Sequence, residues 1–278
     1  MSPVAMPDPT APATIVTGAA GGMGSAIAQA FADEGRPLIL CDLHAAPLEA
    51  LAASLAGKAP VAIIAGDVTA ADYPVRIIAA LAGRKIAAFA HAAGVSPSMA
   101  DGKRVFAINF TATTCLVESL LPHMAPGGAA VLIASNSGQT FTMGFIDRAL
   151  KKVMRGKFSL IHALTLRNSR LAYPMSKRGV QLYAKAMAPA FGKVGARIVS
   201  LSPGIIDTGM GRLEQGAGPE IDKMIAVTPV GRMGMPPEIA SVVAFLASPA
   251  ASYISGTDVL VDGGTIAGIE AVGGVMRL

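Results

Sequence analysis

Short apolar runs alternate along the chain with longer segments in which apolar residues recur at helical spacing. Residues 15–17 form a β-branched run that enters a glycine-rich turn, and the apolar positions from Met23 to Phe31 then follow at helical spacing up to Gly35. The same pattern predicts further strands at 37–43, 61–68, 85–94, 129–138, 196–204 and 258–264. It predicts further helices at 44–57, 73–83, 101–124, 173–192 and 236–248.

Repeated β-α-β units with nearly continuous apolar strands are typical of a parallel sheet that is covered by helices on both faces. Because such crossovers are right-handed, the fold class predicted is α/β, a single-domain doubly wound parallel sheet of the Rossmann type. Neither a linker nor a tandem repeat divides the 278 residues. We therefore expect a flexible, proline-containing arm over 1–13 and one domain over 14–278.

Composition and charge exclude several classes of protein. Hydrophobic residues make up 52% of the chain and charged residues 15%, which excludes a disordered protein. The net charge is +5, but residues 139–170 carry seven basic side chains against Asp147 alone, so the rest of the chain is nearly neutral. This concentration argues against a broad nucleic-acid-binding face, and no nucleic-acid partner is expected.

Two cysteines, each in an apolar segment, argue against a disulfide scaffold and favour a reducing compartment. The first 13 residues lack the basic start and apolar core of a signal peptide. No uninterrupted apolar run approaches the roughly 18 residues that span a bilayer. We therefore expect a cytoplasmic protein with no membrane partner.

A glycine-rich turn, T-G-A-A-G-G-M-G at 17–24, lies between the first predicted strand and its helix. Glycines there let the backbone approach a pyrophosphate, whose charge is met by N–H groups at the helix N-terminus. Asp42 ends the second strand, where a carboxylate can accept both hydroxyls of an adenosine ribose and repel a 2′-phosphate. Leu43 and His44 follow, without Arg or Lys, so NAD is favoured over NADP. The alternative is that Asp42 merely caps the following turn.

Two further turns follow predicted strands. Residues 66–68 end the third strand, where the Asp67 carboxylate can reach the adenine amino group, and residues 92–94 end the fourth, where small side chains let the chain run beside the ribose. These positions mark the carboxyl ends of successive parallel strands, which is where doubly wound sheets bind ligands.

Tyr173 and Lys177 are four residues apart on a predicted helix, which places a phenol and an ammonium on one face. The pKa of a tyrosine is ordinarily about 10, and a neighbouring cation lowers it by favouring the phenolate. Such a tyrosine can accept a proton from an alcohol or return one to a ketone. The pair alone is a common chance pattern, so it needs support from the rest of the chain.

That support comes from the order of the motifs. From Thr14 to Gly264 the sequence resembles the short-chain dehydrogenase/reductase family, most closely the bacterial 3α-hydroxysteroid dehydrogenase/carbonyl reductase subgroup. The motifs that carry the resemblance are, in family order, the turn at 17–24, Asp42, Asp67-Val68, Gly94, Asn109, Ser135, Tyr173 with Lys177, residues 203–208 and residues 262–264.

The resemblance implies four catalytic residues. Tyr173 would be the acid/base, and Ser135 would hydrogen-bond the substrate oxygen where negative charge develops. Lys177 would bind the nicotinamide ribose, and Asn109 would hold a water that connects Lys177 to solvent. Ser137 competes for the serine role, but in the family the active serine lies three residues before a glycine, and Gly138 selects Ser135.

The resemblance also implies the residues that bind the cofactor, with Ile206 (through its backbone) and Thr208 fixing the carboxamide, and it implies no metal. These residues are Gly18, Gly22, Met23, Gly24, Asp42, Leu43, Asp67, Val68, Gly94, Tyr173, Lys177, Ile206 and Thr208. One departure from the family pattern lies nearby: the usual Asn-Asn-Ala-Gly is His91-Ala92-Ala93-Gly94 here. We interpret His91 as a packing residue at the end of its strand.

A larger departure is the number of residues between Ser135 and Tyr173, which are 38 positions apart here and much closer in sequence in most of the family. The excess is the basic segment 139–170, predicted as a helical insertion with Phe141, Phe145, Ala149, Val153 and Met154 on its apolar face. The subgroup named above has a similar insertion. Two interpretations stay open: the insertion shapes assembly or covers the sheet edge, or it grips an anionic or bulky apolar substrate.

The resemblance implies that segment 207–228 is a mobile lid over the substrate. The apolar side chains of this segment suggest a hydrophobic secondary alcohol or ketone as substrate, such as a hydroxysteroid or a cyclic alcohol. The predicted function is hydride transfer between such a substrate and NAD(H), in a homodimer or homotetramer. Two alternatives are a 3-oxoacyl-thioester reductase, whose basic insertion would meet phosphates, and a catalytically silent cofactor-binding scaffold.

Overall fold

A computed structural model describes residues 10–215 and 220–274 of the chain. Residues 1–9 of the predicted arm lie outside the described residues, and Ala13 already belongs to the first strand. Of the predicted lid over 207–228, residues 216–219 also lie outside them.

Seven parallel strands form one sheet in the order β3-β2-β1-β4-β5-β6-β7 within the described part of the chain. The strands are β1 Ala13–Thr17, β2 Leu38–Asp42, β3 Val61–Ala65, β4 Ile86–His91, β5 Met124–Ile133, β6 Arg197–Pro203 and β7 Asp258–Val261. The predicted doubly wound sheet is confirmed. Its strand order reverses between β1 and β4, and a crevice therefore opens at their carboxyl ends.

Helices cover both faces of the sheet. They are α1 Gly22–Asp33, α2 Ala45–Ser54, α3 Tyr73–Ala80, α4 Gly102–Phe106, α5 Ala112–Leu120, α6 Ser137–Thr140, α7 Gly144–Met154, α8 Leu160–Thr165, α9 Ser169–Lys193, α10 Gly209–Gln215, α11 Glu220–Val227, α12 Pro236–Leu246 and α13 Thr265–Ala271. A π-helical turn, Ala107–Thr111, joins α4 to α5, and 3₁₀ turns occupy Leu121–His123 and Pro249–Ala251.

The sheet separates two hydrophobic clusters. Ile15 and Val16 are both fully buried but belong to opposite clusters, since successive side chains of a strand point to opposite faces. Phe31 of α1 belongs to one cluster, and Phe110 and Tyr183 belong to the other. The central strands β1, β4, β5 and β6 thus lie between two packed layers, whereas Leu260 of the edge strand β7 is 41% exposed.

Two predicted helices differ from the observed ones. The helix expected over 101–124 contains a π-helical turn around Asn109, a kind of irregularity that is frequent at functional sites. Helix α9 begins at Ser169 rather than Tyr173, because the side chain of Asn168 accepts a hydrogen bond from the Arg170 N–H and caps the helix. Tyr173 therefore lies in the second turn of α9 rather than at its start.

Among the described residues, the helical stretch Gly102–His123 is long and apolar enough to cross a membrane by length and composition alone. Half of its most apolar window is nevertheless buried in the fold. Phe106, Phe110 and Leu116 contribute to the core, which accounts for the apolar composition of this stretch.

The predicted insertion forms two helices, α7 and α8, which pack against α9. The apolar face of α7 is only partly the predicted one: Ala149 is buried as expected, and Ile146 and Leu150 are buried as well, whereas Phe145 is 47% exposed. Arg178 of α9 donates two hydrogen bonds to the Asp147 carboxylate, at 2.9 and 2.8 Å, and holds the pKa of Asp147 below its ordinary value. This ion pair fastens the insertion to the helix that carries Tyr173 and Lys177.

Candidate active site

The glycine-rich turn is as tight as the sequence predicts. Gly18 has a φ of +65°, and a Cβ there would lie 2.6 Å from the Ala93 nitrogen. A Cβ on Gly24 would lie 1.9 Å from the Gly18 carbonyl oxygen. Helix α1 therefore starts directly against the turn, and the N–H groups of its first residues are at the edge of the crevice.

A cleft of about 430 Å³ lies at the carboxyl ends of β1 to β4. Ten of the predicted cofactor residues line it, namely Gly18, Gly22, Met23, Gly24, Asp42, Leu43, Asp67, Val68, Gly94 and Thr208. Gly18 and Gly22 leave a backbone-lined concavity that side chains would fill, and Asp42 and Asp67 supply acceptors along it. These features fit a dinucleotide.

Asp42 is bound to the glycine-rich turn as well as to its own turn. One carboxylate oxygen accepts a hydrogen bond from the Ala20 N–H at 2.9 Å, and the other accepts one from the Leu43 N–H at 2.7 Å. The hydrogen bond from Leu43 is local, but it reaches the adjacent residue and does not cap the start of α2. Each carboxylate oxygen has a second lone pair, so these contacts are compatible with ribose binding.

Asp67 has partners that the sequence did not indicate. Its carboxylate accepts hydrogen bonds from the N–H and the hydroxyl of Thr69. It also forms an ion pair with Arg104, in which a guanidinium nitrogen lies 2.5 Å from a carboxylate oxygen. Burial acts to raise the pKa of Asp67, but these donors outweigh it and hold that pKa below its ordinary value. Arg104, a cleft residue on α4, is 37 positions away in sequence, and no local pattern links it to Asp67.

Asn109 lies inside the π-helical turn and faces the loop after β4. Its side-chain oxygen accepts a hydrogen bond from the Val95 N–H at 2.8 Å, and its amide nitrogen donates to the Val95 carbonyl at 2.9 Å. A Cβ on Gly94 would lie 3.2 Å from the Asn109 side-chain oxygen and 3.4 Å from the Lys177 ammonium. Asn109 and Lys177, which are distant in sequence, thus converge on Gly94.

Lys177 is 6% exposed, and its ammonium donates a hydrogen bond to the Ile133 carbonyl at 3.0 Å. The same nitrogen lies 5.8 Å from the centre of the Tyr173 ring. Ile133 is the last residue of β5, two positions before Ser135. The lysine therefore connects the tyrosine to the strand end that carries the predicted serine.

The two candidate serines contact each other. Ser137 donates hydrogen bonds to the Ser135 hydroxyl oxygen from its own hydroxyl at 3.0 Å and from its N–H at 3.2 Å. A hydroxyl has one proton and two lone pairs. The Ser137 proton is thus used within the pair, whereas the Ser135 proton is left to donate outward, which favours Ser135. The assignment stays a prediction.

Thr208 and Ile206 follow β6, and Thr208 lies next to the glycine-rich turn, whereas Ile206 pairs with Gly234. The Thr208 methyl group lies 2.7 Å from where a Cβ on Gly22 would be, so the two residues are in direct contact. The Thr208 N–H donates to the Ile206 carbonyl at 2.8 Å, and the Thr208 hydroxyl accepts from the Gly211 N–H. This arrangement ties the first turn of α10 to the cofactor cleft.

His91 packs in the core as expected. The Thr113 hydroxyl donates its proton to the Asn109 carbonyl, so His91 Nε2 must donate to Thr113, at 2.8 Å, and Nδ1 accepts from Thr17 at 2.7 Å. His91 is therefore a neutral imidazole with both nitrogens satisfied. Burial first, and the charge of Lys177 second, lower its pKa to about 3.

This histidine should make stability depend on pH. Between the unfolded-state pKa of about 6.5 and the native value, the unfolded chain binds a proton that the native protein does not. The free energy of unfolding should therefore fall by up to about 1.4 kcal/mol per pH unit as the pH is lowered through this range. Urea unfolding of the wild type and of His91→Asn between pH 4.5 and 7 measures the effect, and equal slopes would contradict it.

Comparison with known proteins identifies the family to which the chain belongs. Residues 12–147 match the family model described as short chain dehydrogenase, and residues 147–265 match the model described as enoyl-(acyl carrier protein) reductase. D-threitol dehydrogenase of Mycolicibacterium smegmatis is 32% identical over 263 residues, which cover 90% of this chain and 91% of that protein. The chain belongs to the short-chain dehydrogenase/reductase family.

A second relative and a solved structure are similar over a comparable share of the chain. The 3α-hydroxysteroid dehydrogenase/carbonyl reductase of Comamonas testosteroni is 27% identical over 258 residues, covering 90% of this chain and 95% of that protein. The crystal structure of a glucose/ribitol dehydrogenase from Brucella melitensis is similar with a TM-score of 0.74 and 30% identity, covering 91% of this chain and 96% of that one. The predicted family is confirmed, and the protein is an enzyme of a family that acts on alcohols and ketones with a nicotinamide cofactor.

Proposed function

We propose that the protein transfers a hydride between NAD(H) and a hydrophobic secondary alcohol or ketone. The observation that carries the proposal is the Lys177 ammonium, which lies between the Tyr173 ring, Gly94 at the cofactor cleft and the end of β5 before Ser135. One buried ammonium thus lies close to the proposed acid/base, to the cleft and to the strand end that precedes the proposed catalytic serine. The enzyme would work in the cytoplasm as a homodimer or homotetramer.

A nicotinamide bound in the cleft would supply the hydride acceptor for oxidation of the alcohol and the hydride donor for reduction of the ketone. Tyr173 accepts the hydroxyl proton, and in reduction it returns a proton to the carbonyl oxygen. The positive charge of Lys177 stabilises the phenolate form of Tyr173. The outward proton of Ser135 donates to the substrate oxygen as negative charge develops on it.

The preference for NAD rests on Asp42. Its carboxylate lines the cleft beside Leu43 and His44, and both its oxygens are held in place by backbone N–H groups. A fixed negative charge at this position repels the 2′-phosphate of NADP and accepts the ribose hydroxyls of NAD.

We expect kcat/KM for NAD⁺ to exceed that for NADP⁺ by about 100-fold, because like charges placed side by side cost several kcal/mol. Asp42→Ala should lower the ratio to about 10 or below, since the repulsion is removed. Fluorescence titration with NADH and NADPH gives the same comparison without a substrate. Asp33→Ala, which removes an exposed acid from α1, is the control. A wild-type preference for NADP⁺ would refute the cofactor assignment.

The substrate class rests on the lid. Met210 lines the cleft, Leu213 is 61% exposed, and Ile221, Met224 and Ile225 of α11 are partly buried. Such side chains favour a substrate with apolar surface over a polyol. A panel containing a 3α-hydroxysteroid, a substituted cyclohexanol, an aryl carbinol and D-threitol, followed at the nicotinamide absorbance, tests the class. A clear preference for D-threitol would contradict the hydrophobic assignment.

A 3-oxoacyl-thioester reductase is the second candidate. Lys151, Lys152, Arg155 and Lys157 at the end of α7 are exposed and form a cationic surface that phosphates of a thioester carrier would fit. Oxidation of NADH in the presence of acetoacetyl-coenzyme A tests it. Turnover that exceeds the rates with the alcohol panel and falls steeply with salt would favour this candidate.

A further inference from the structure

Gln181 lies one helical turn beyond Lys177 on α9 and is 5% exposed. Its amide nitrogen donates to the Ser135 carbonyl at 3.2 Å and to the Ser202 hydroxyl at 2.9 Å. Its side-chain oxygen accepts a hydrogen bond from the Arg178 guanidinium at 3.2 Å. A buried polar side chain in the middle of a helix therefore bonds to the backbone of the predicted catalytic serine.

The chemistry of its neighbours fixes the orientation of this amide. A guanidinium only donates hydrogen bonds and a carbonyl only accepts them. Rotating the Gln181 amide by 180° would place its NH₂ against Arg178 and its oxygen against the Ser135 carbonyl, so both contacts would become repulsive. The amide can therefore adopt one orientation only, the one in which it holds Ser135.

Both ends of this network terminate at carboxylates. Arg178 is held by Asp147 of the insertion, and the Ser202 hydroxyl donates to Asp258 at 2.8 and 2.9 Å. Ser200 also donates to Asp258, at 2.6 Å. Because each donor has a matching acceptor, the network is fully directed and rigid.

The segment after β5 is held at a second point. Gln139, at the third position of α6, donates its side-chain amide to Asp258 at 2.6 Å. Gly138 lets α9 come close, because a Cβ there would lie 2.7 Å from the Gln181 amide nitrogen. Residues 135–139 are thus fixed at the Ser135 carbonyl by Gln181 and at Gln139 by Asp258.

We propose that Gln181 is a positioning residue that fixes Ser135 for its hydrogen bond to the substrate oxygen. The proposal rests on the proposed function, in which Ser135 donates to that oxygen. Misplacing a reacting group by about 1 Å can cost on the order of 100-fold in rate. The network also explains how the insertion reaches the active site: Asp147 orients Arg178, and Arg178 orients Gln181.

Gln181→Leu should lower kcat by roughly 10- to 100-fold with the Kd for NADH within about twofold of wild type. Gln181→Glu should lose activity similarly, because an ionised carboxylate still accepts from Arg178 but cannot donate to the Ser135 carbonyl. Tyr183→Phe is the matched control. Tyr183 is on the same helix and 4% exposed, but its hydroxyl donates to the Thr114 carbonyl and to Glu118, away from Ser135. This control should keep kcat within about twofold even if it lowers the melting temperature.

A double-mutant cycle separates positioning from general destabilisation. In a Ser135→Ala background, adding Gln181→Leu should cause little further loss, because Gln181 acts through Ser135. An equal loss in both backgrounds would overturn the proposal, and so would full activity of both Gln181 variants when Ser135→Ala is inactive. Full activity of Ser135→Ala would instead refute the proposed catalytic role itself. If Gln181→Leu fails to fold, the near-isosteric Gln181→Glu decides the question.

Discussion

Tyr173→Phe is expected to lower kcat by about 1,000-fold while leaving the binding of NADH largely unchanged. The phenol oxygen is the proposed proton acceptor, and phenylalanine has the same ring without it. The ring packs 5.8 Å from the Lys177 ammonium, so the substitution preserves the packing and removes only the proton-transfer group. Steady-state assays give kcat, and NADH fluorescence titration gives the Kd.

Tyr253→Phe is the control, since Tyr253 is fully exposed on the surface and far in sequence from the site. It should not change either quantity. Survival of activity in Tyr173→Phe would show that the proposed mechanism is wrong. A wild-type protein that binds NADH but turns over neither the alcohol panel nor the thioester would be the silent scaffold.

Gly24→Ala is expected to weaken NADH binding by roughly 5- to 150-fold, because overpacking of this kind costs about 1–3 kcal/mol. The added Cβ would lie 1.9 Å from the Gly18 carbonyl oxygen and 2.6 Å from the Gly18 carbonyl carbon. Both are backbone atoms, so α1 has to move away from the turn at 17–24, which is the predicted phosphate site. Titration of NADH fluorescence measures the loss, and thermal unfolding checks that the variant folds.

Two other glycines serve as controls. Gly22→Ala should have a smaller effect on NADH binding, because its Cβ would meet the side chain of Thr208 rather than backbone. Gly192→Ala, near the end of α9, should have none, because the added Cβ would meet no atom within 4 Å apart from its chain neighbours and the nearby backbone of α9 itself. Unchanged NADH affinity in Gly24→Ala would mean that the turn at 17–24 is not the phosphate site.

The sequence predicts well which residues line the cleft, because the cleft is built from strand ends. Gly18, Asp42, Asp67 and Gly94 each follow a run of apolar residues, and the carboxyl ends of parallel strands meet at one edge of a sheet. Locating the strands therefore locates the residues relative to each other. Their identities then indicate the ligand.

Features that depend on contacts between distant segments are not predictable in this way. The π-helical turn is stabilised by the two hydrogen bonds between Asn109 and Val95, and the apolar spacing of this helix gives no sign of it. Arg104 looks like a residue on a solvated helix face until α4 is placed opposite Asp67. Gln181 likewise looks like a solvated helix residue in the sequence. Its hydrogen bonds to Ser135 and Ser202, which belong to other segments, become evident only in the folded structure.

The insertion between Ser135 and Tyr173 lengthens a connection that is closed at both ends by fixed elements, β5 and α9. Even a threefold increase in the length of a flexible loop raises the entropy cost of closure by only about 1 kcal/mol. Burying one leucine side chain such as Leu150 recovers about 1.5–3 kcal/mol. The length of this connection is therefore nearly neutral for folding, so insertions of different length can be accommodated between β5 and α9 as long as the contact of Asp147 with Arg178 is kept.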